Sequence, residues 1–117
     1  MSKLKQKGTA GESGLVRKLN SDGFPHAERR ALTGSLDMGD ISGCLGLVWE
    51  VKNHKTYHIP AWLKETEIET ANAKADFGIL AIKPNGVGLD NAGKWWAVMT
   101  VDDMIRLLRQ AGYGDPL

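Results

Sequence analysis

The sequence predicts an α/β fold, a small mixed central β-sheet flanked by helices. Three observations carry that prediction. Residues 46–53 and 76–83 are short apolar runs edged by glycine, aspartate or lysine, as buried strands are. Segments of helical periodicity precede, separate and follow them. The resulting order, helix, strands, helix, strand, strand, helix, suits a sheet covered by helices. At 117 residues the chain suits a single domain with one modest core. Its apolar and charged fractions, 42% and 25%, are those of an ordinary globular protein, which excludes a disordered or fibrous chain.

The elements follow in order. Residues 1–8 read as a flexible basic arm. Thr9-Ala-Gly-Glu12 matches a capping box, so a helix is expected from there to Ser21, ended by Asp22-Gly23. At about 100° per residue, Leu15, Val16 and Leu19 lie within roughly 60° of Glu12. Glu12 therefore sits at the edge of the inward stripe, where an acid is costly unless it meets a cation or a donor. Residues 26–32 suit a first strand. A turn at Thr33-Gly34-Ser35 leads to Asp37 and Asp40, and Asp40 precedes Ile41 on the expected hairpin partner of the 46–53 strand. His54 and His58 have the spacing of two helical zinc ligands, but Pro60 follows closely and no Cys or Glu-x-x-His partner completes a set. Pro60 fits the first turn of a helix to about Lys74, whose Glu65, Glu67 and Glu69 read as a solvated face. Pro84-Asn85-Gly86 turns the chain after the second strand. Residues 94–100 form a third strand with Trp95 and Trp96 on opposite faces. Thr100 caps a last helix whose Val101, Met104, Ile105 and Leu108 are expected to face inward, and Gly112 stops it. The tail 113–117 is expected to fray.

The chemistry concentrates in residues 34–55. Side chains alternate along a strand, so Trp49 and Val51 share one face while Glu50 and Lys52 share the other. With Asp40 on the neighbouring segment, two carboxylates converge beside a lysine. That combination can hold a divalent cation with a positive charge in reach, as phosphodiester cleavage requires. Asp37 rivals Asp40 as the second carboxylate, although an acid in such a turn commonly binds the backbone.

Net charge is only +1, but residues 1–30 place Lys3, Lys5, Lys7, Arg17, Lys18, Arg29 and Arg30 against Glu12, Asp22 and Glu28, a local +4. A basic end beside an acidic site can follow a phosphate backbone; a solvated basic tail would have the same composition. No run is long enough to span a membrane, and no apolar stretch follows the basic start as in a secretory leader. Cys44 is the only cysteine, which allows no intrachain disulfide and fits a reducing cytoplasm. It reads as a small buried apolar residue rather than a nucleophile.

Asp40 followed by Glu50-Val51-Lys52 resembles the PD-(D/E)xK nuclease signature, with Gly39 where that pattern usually has proline. Lys7-Gly8, Glu12 in a helix, Gly23-Phe24, an arginine, Gly34-Ser35, Asp40 and Glu50-Val51-Lys52-Asn53 follow one another as in archaeal-type Holliday junction resolvases, a family also found in bacterial viruses. The similarity runs from about Lys7 to Thr100 and is densest before Tyr57. It implies a restriction-endonuclease-like core over 1–117 and resolution of four-way DNA junctions by paired symmetric nicks. By position it assigns Mg2+ or Mn2+ to Asp40, Glu50 and the Val51 carbonyl, with Glu12 completing the acidic cluster, directly or through water. Lys52 would orient or deprotonate the attacking water, or neutralise the phosphate, and Ser35 would assist or simply hold its turn. Lys5, Lys7, Arg17, Arg29, Arg30 and Lys55 are the expected DNA contacts. The resemblance further implies a homodimer in the cytoplasm of a bacterial or phage-infected cell, with no organic cofactor and no membrane. Ser13 stands where the family often has a basic residue. Another nuclease of the superfamily (a nickase, flap or restriction-like enzyme) would use the same residues, a non-catalytic nucleic-acid-binding module would not need them, and Glu50 with Lys52 could also be a plain surface ion pair.

Overall fold

The computed structural model describes residues 2–31, 34 and 36–117. Helix α1 spans Lys3–Ser21, β1 Glu28–Arg29, β2 Ile41–Ser42, β3 Leu47–Lys52, α2 Ile59–Asn72, β4 Phe77–Ile82, β5 Trp96–Val98 and α3 Val101–Gln110, with a 3-10 segment at Leu89–Lys94 before β5. The central sheet has the order β3-β4-β5. β3 and β4 run parallel and β4 and β5 antiparallel, so the sheet is mixed. The parallel pair needs a crossover, and α2 supplies it. β1 and β2 form a separate two-stranded ribbon.

Two apolar clusters occupy the two faces of the sheet. Leu15 and Leu19 of α1 pack with Ile41, Val51, Ala81 and Trp95 on one face. Trp62 of α2 packs with Leu80 and Ile82 on the other. β4 is buried at every position, as a central strand covered on both sides must be. Because Glu50 pairs with Leu80 and Lys52 with Ile82, both side chains point toward α2. The α/β sandwich with a small mixed sheet is thus present, and Trp95 is buried while Trp96 on the opposite face is 46% exposed.

Four expectations are corrected. Residues 2–8 are no loose arm. Ser2 caps α1, its hydroxyl accepting from the Lys5 N–H at 3.1 Å, so Thr9 and Glu12 lie inside the helix and form no capping box. Gly11 does not interrupt α1 because its bare face is needed: a Cβ there would stand 3.1 Å from that of Asn53, where the helix crosses β3. β2 pairs with β1 instead of completing a hairpin with β3; Asp40 reaches β3 through its N–H, which donates to the Trp49 carbonyl at 2.9 Å. Glu69 is not on a solvated face. It is 1% exposed, Glu65 is half-buried with 43% of its side chain exposed, and Glu67 faces water. Finally, the apolar stripe of α3 is not inward: Val101, Met104, Ile105 and Leu108 are all exposed. No helix among the described residues is long and apolar enough to cross a membrane.

Candidate metal centre

The site is built where β3, α2 and the loop before β2 meet. β3 aims Glu50 at α2, and Glu65 and Glu69, one turn apart on that helix, aim back. Asp37 closes the fourth side. One carboxylate oxygen from each of Asp37, Glu50, Glu65 and Glu69 lies within 4.8 Å of the others. Asp37 is held by its own loop, its Oδ1 accepting from the Gly39 N–H at 3.0 Å and its carbonyl from the Asn72 amide at 2.9 Å. Gly39 has φ +96°, and a Cβ on it would meet Val48 Cγ1 at 2.8 Å. Proline fits neither that dihedral nor the donated N–H, so the departure from the usual proline is dictated by this loop.

The electrostatics are severe. Glu50 is 3% exposed and Glu69 1%. Burial first, then the neighbouring Asp40, Glu65 and Glu69, pushes the Glu50 carboxyl far above the usual range. Burial likewise raises Glu69 to about 8, with Asp37 and Glu65 adding to it and Glu50 opposing. Among the described residues neither Glu69 oxygen has a hydrogen-bond donor. A proton shared with Glu50, or a bound cation, would satisfy them. Lys52 is the nearest positive group, its Nζ 3.4 Å from Glu65 Oε2 and 4.0 Å from Glu50 Oε2. An all-carboxylate donor set beside that lysine fits a hard divalent cation and no soft one.

The expected site residues fall into two groups. Asp40 lies beside Glu50 but is already engaged: its Oδ2 accepts from the Val51 N–H at 2.8 Å. It also faces Glu12 across the sheet edge. Burial and then Asp40 raise the Glu12 carboxyl, while Arg29, its Nε 3.0 Å from Glu12 Oε1, pulls it back. Val51 is buried between Glu50 and Lys52. Thus Glu50 joins a Glu12–Asp40 side to the four-carboxylate centre, and Glu12 is outside that centre. Ser35 lies outside the described residues. Among the expected DNA contacts, Arg29 is held by Glu12 and Thr9, and Arg17 faces Asp90 at 3.8 Å. The Arg30 N–H donates to the Asp40 carbonyl, and its buried Nε has no hydrogen-bond partner among the described residues. Lys7 and Lys52 both act on His54, whose pKa is lowered by burial first and then by these lysines. Lys5 and Lys55 are exposed.

Glu65 and Glu69 were not among the expected ligands, and Asp37, the rival to Asp40, is the aspartate that joins the cluster. The signal for the two glutamates was present: Glu65 and Glu69 fall in phase with Trp62 and Thr66, the inward positions of α2. No protein-family model, curated protein or solved structure matches the chain.

Proposed function

We propose that the chain is a metal-dependent DNA endonuclease, with four-way junctions as its substrate. The observation that carries the reading is Glu69: a buried carboxylate without a donor, aimed at Glu50, Glu65 and Asp37 with Lys52 at the rim. Asp37, Glu50, Glu65 and Glu69 would hold Mg2+ or Mn2+, with Asp40 and Glu12 extending the acidic surface. When bound, such a cation polarises a phosphate oxygen and lowers the pKa of a coordinated water. The chain's own part is then clear. Loading would require Glu50 and Glu69 to ionise. Lys52, 3.4 Å from Glu65 and 4.0 Å from Glu50, would set a positive charge beside the phosphate, where it would offset developing negative charge. Lys7 and Lys52 both act on His54, and this cluster of basic groups suits a phosphate backbone.

The Asp40, Glu50-Val51-Lys52 spacing on a mixed sheet between helices supports a PD-(D/E)xK-type core, and the order of motifs before Tyr57 favours a junction resolvase within it. A junction is two-fold symmetric, so paired nicks call for two copies of the chain. The test is cleavage of a labelled four-way junction beside linear duplex and flap substrates, with Mg2+ and with chelator, for wild type and Lys52→Ala. Paired nicks on the junction alone, lost with chelator and in the variant, support a resolvase. Cleavage of every substrate leaves a nuclease of the same class without junction selectivity. Binding without cleavage by folded, metal-loaded protein makes it a nucleic-acid-binding module.

A further inference from the structure

Helix α3 is mounted inside out. Its polar side meets the body of the protein. Arg106 donates to the Asp76 carbonyl at 2.9 Å and lies over the Phe77 ring at 4.5 Å from its centre, while Asp103 pairs with Arg106 at 3.0 Å. Its apolar side faces solvent, with Val101 75%, Ile105 49% and Leu108 42% exposed, and Met104 and Leu107 beside them. An amphipathic helix on a globular protein normally does the opposite, because burying the apolar stripe is what stabilises it. The helix is nonetheless well terminated at both ends. Thr100 accepts from the Asp103 N–H, and the Gly112 and Tyr113 N–H groups close on Arg109 and Leu108. A capped helix holding this face outward is ready to be covered.

The geometry points to a second copy of the chain as the occupant, docked α3 against α3 in an antiparallel two-fold pair. The charges select this partner. At 100° per residue, Asp102 and Arg109 lie about 20° apart on one flank of the apolar stripe, and about 10 Å apart along the axis. Among the described residues neither takes part in an ion pair within the chain. When two such helices cross antiparallel about Ile105, each Asp102 faces Arg109 of the other copy, twice over, and the stripes meet between them. A parallel two-fold pair would put Asp102 and Arg109 of the two copies on opposite flanks of the seam and form neither pair. The surface is therefore self-complementary in the antiparallel orientation, as an isologous interface requires. This inference names the face for the paired copies of the proposed function. It is measured without DNA, so its failure and the failure of the nuclease reading are read separately.

The test is sedimentation velocity over a concentration series, with the fold of each variant checked by circular dichroism. Wild type is expected to form a dimer and Ile105→Asp a monomer with an unchanged spectrum, since Ile105 belongs to neither buried apolar cluster. Asp102→Arg should weaken the dimer by about tenfold, through two repulsive contacts where two attractive ones stood. The double exchange Asp102→Arg with Arg109→Asp should restore it. A wild type that stays monomeric at high concentration, or a dimer untouched by Ile105→Asp, would overturn the proposal. Failure of the double exchange to restore pairing would overturn the antiparallel register.

Discussion

Replacing Glu69 by glutamine should change stability in opposite directions with and without a divalent cation. In the cation-free protein Glu69 is held neutral by burial, its pKa raised from 4.5 to about 8. The sign follows from proton binding. Between these values the folded state holds a proton that the unfolded chain has released, so stability is greatest below about pH 4.5 and falls as pH rises. At ~1.4 kcal/mol per pH unit the loss by pH 8 is roughly 4 kcal/mol, an upper figure because Glu50 shares the proton. Glutamine has no proton to lose, and its amide can donate to Glu50. Glu69→Gln should therefore melt higher than wild type at pH 8 in chelator, and its melting temperature should vary less between pH 5 and 8. With Mg2+ or Mn2+ the order should reverse. Binding at a hundredfold excess over Kd stabilises by ~2.7 kcal/mol, roughly 10 °C for a domain of this size, and the variant should lose most of it. Thermal melts at pH 5 and pH 8, with metal and with chelator, read all four values. A variant that melts lower than wild type in chelator and gains as much from metal would refute the reasoning, because Glu69 would then be an ordinary structural carboxylate.

Lys52→Ala should lower cleavage by about 100-fold or more while the metal-dependent rise in melting temperature is kept, which separates charge stabilisation from ligation. At subsaturating Mg2+, kcat/KM should climb with pH toward about 8 as Glu69 ionises, and saturating Mg2+ should move that limb to lower pH. Gly39→Ala should cost ~1–3 kcal/mol in denaturant melts, since φ +96° is strained for any side chain and the new Cβ presses on Val48. Cys44 is buried and burial raises its thiol pKa, so a thiol reagent should label it only slowly in the native state and at once in denaturant.

Sequence periodicity located the sheet well because its strands obey local rules. Leu47–Lys52 and Phe77–Ile82 are bounded by glycine, aspartate and lysine, and their alternation correctly put Glu50 and Lys52 on one face. The failures share a physical cause, which is that the deciding partner was remote or polar. The α1 start was misjudged because exposed helical turns carry no apolar period, and the Ser2 cap went unread. α3 has a strong stripe, but a stripe says only that a face will be covered, not by what.

At the candidate metal centre the strand residues were legible and the helix residues were not. Glu50 and Lys52 stand on β3 with alternating neighbours. Glu69 looked solvated because acids at 65, 67 and 69 suggest an exposed helix. Yet the inward side of α2 is itself polar, with Thr66 bonding the Trp62 carbonyl at 2.8 Å and Glu69 buried one turn on. Asp37 resembled a turn acid and is one, its Oδ1 on the Gly39 N–H. The same turn is what delivers it to Glu50, so the two roles did not compete.

Diffraction from crystals soaked in Mn2+, recorded at the manganese absorption edge, tests the central claim most directly. The expected result is an anomalous peak among Asp37, Glu50, Glu65 and Glu69, with Glu50 and Glu69 in the inner coordination sphere. An ordered site with no peak there, at a Mn2+ concentration sufficient for any activity in solution, would contradict the metal centre and the nuclease reading built on it.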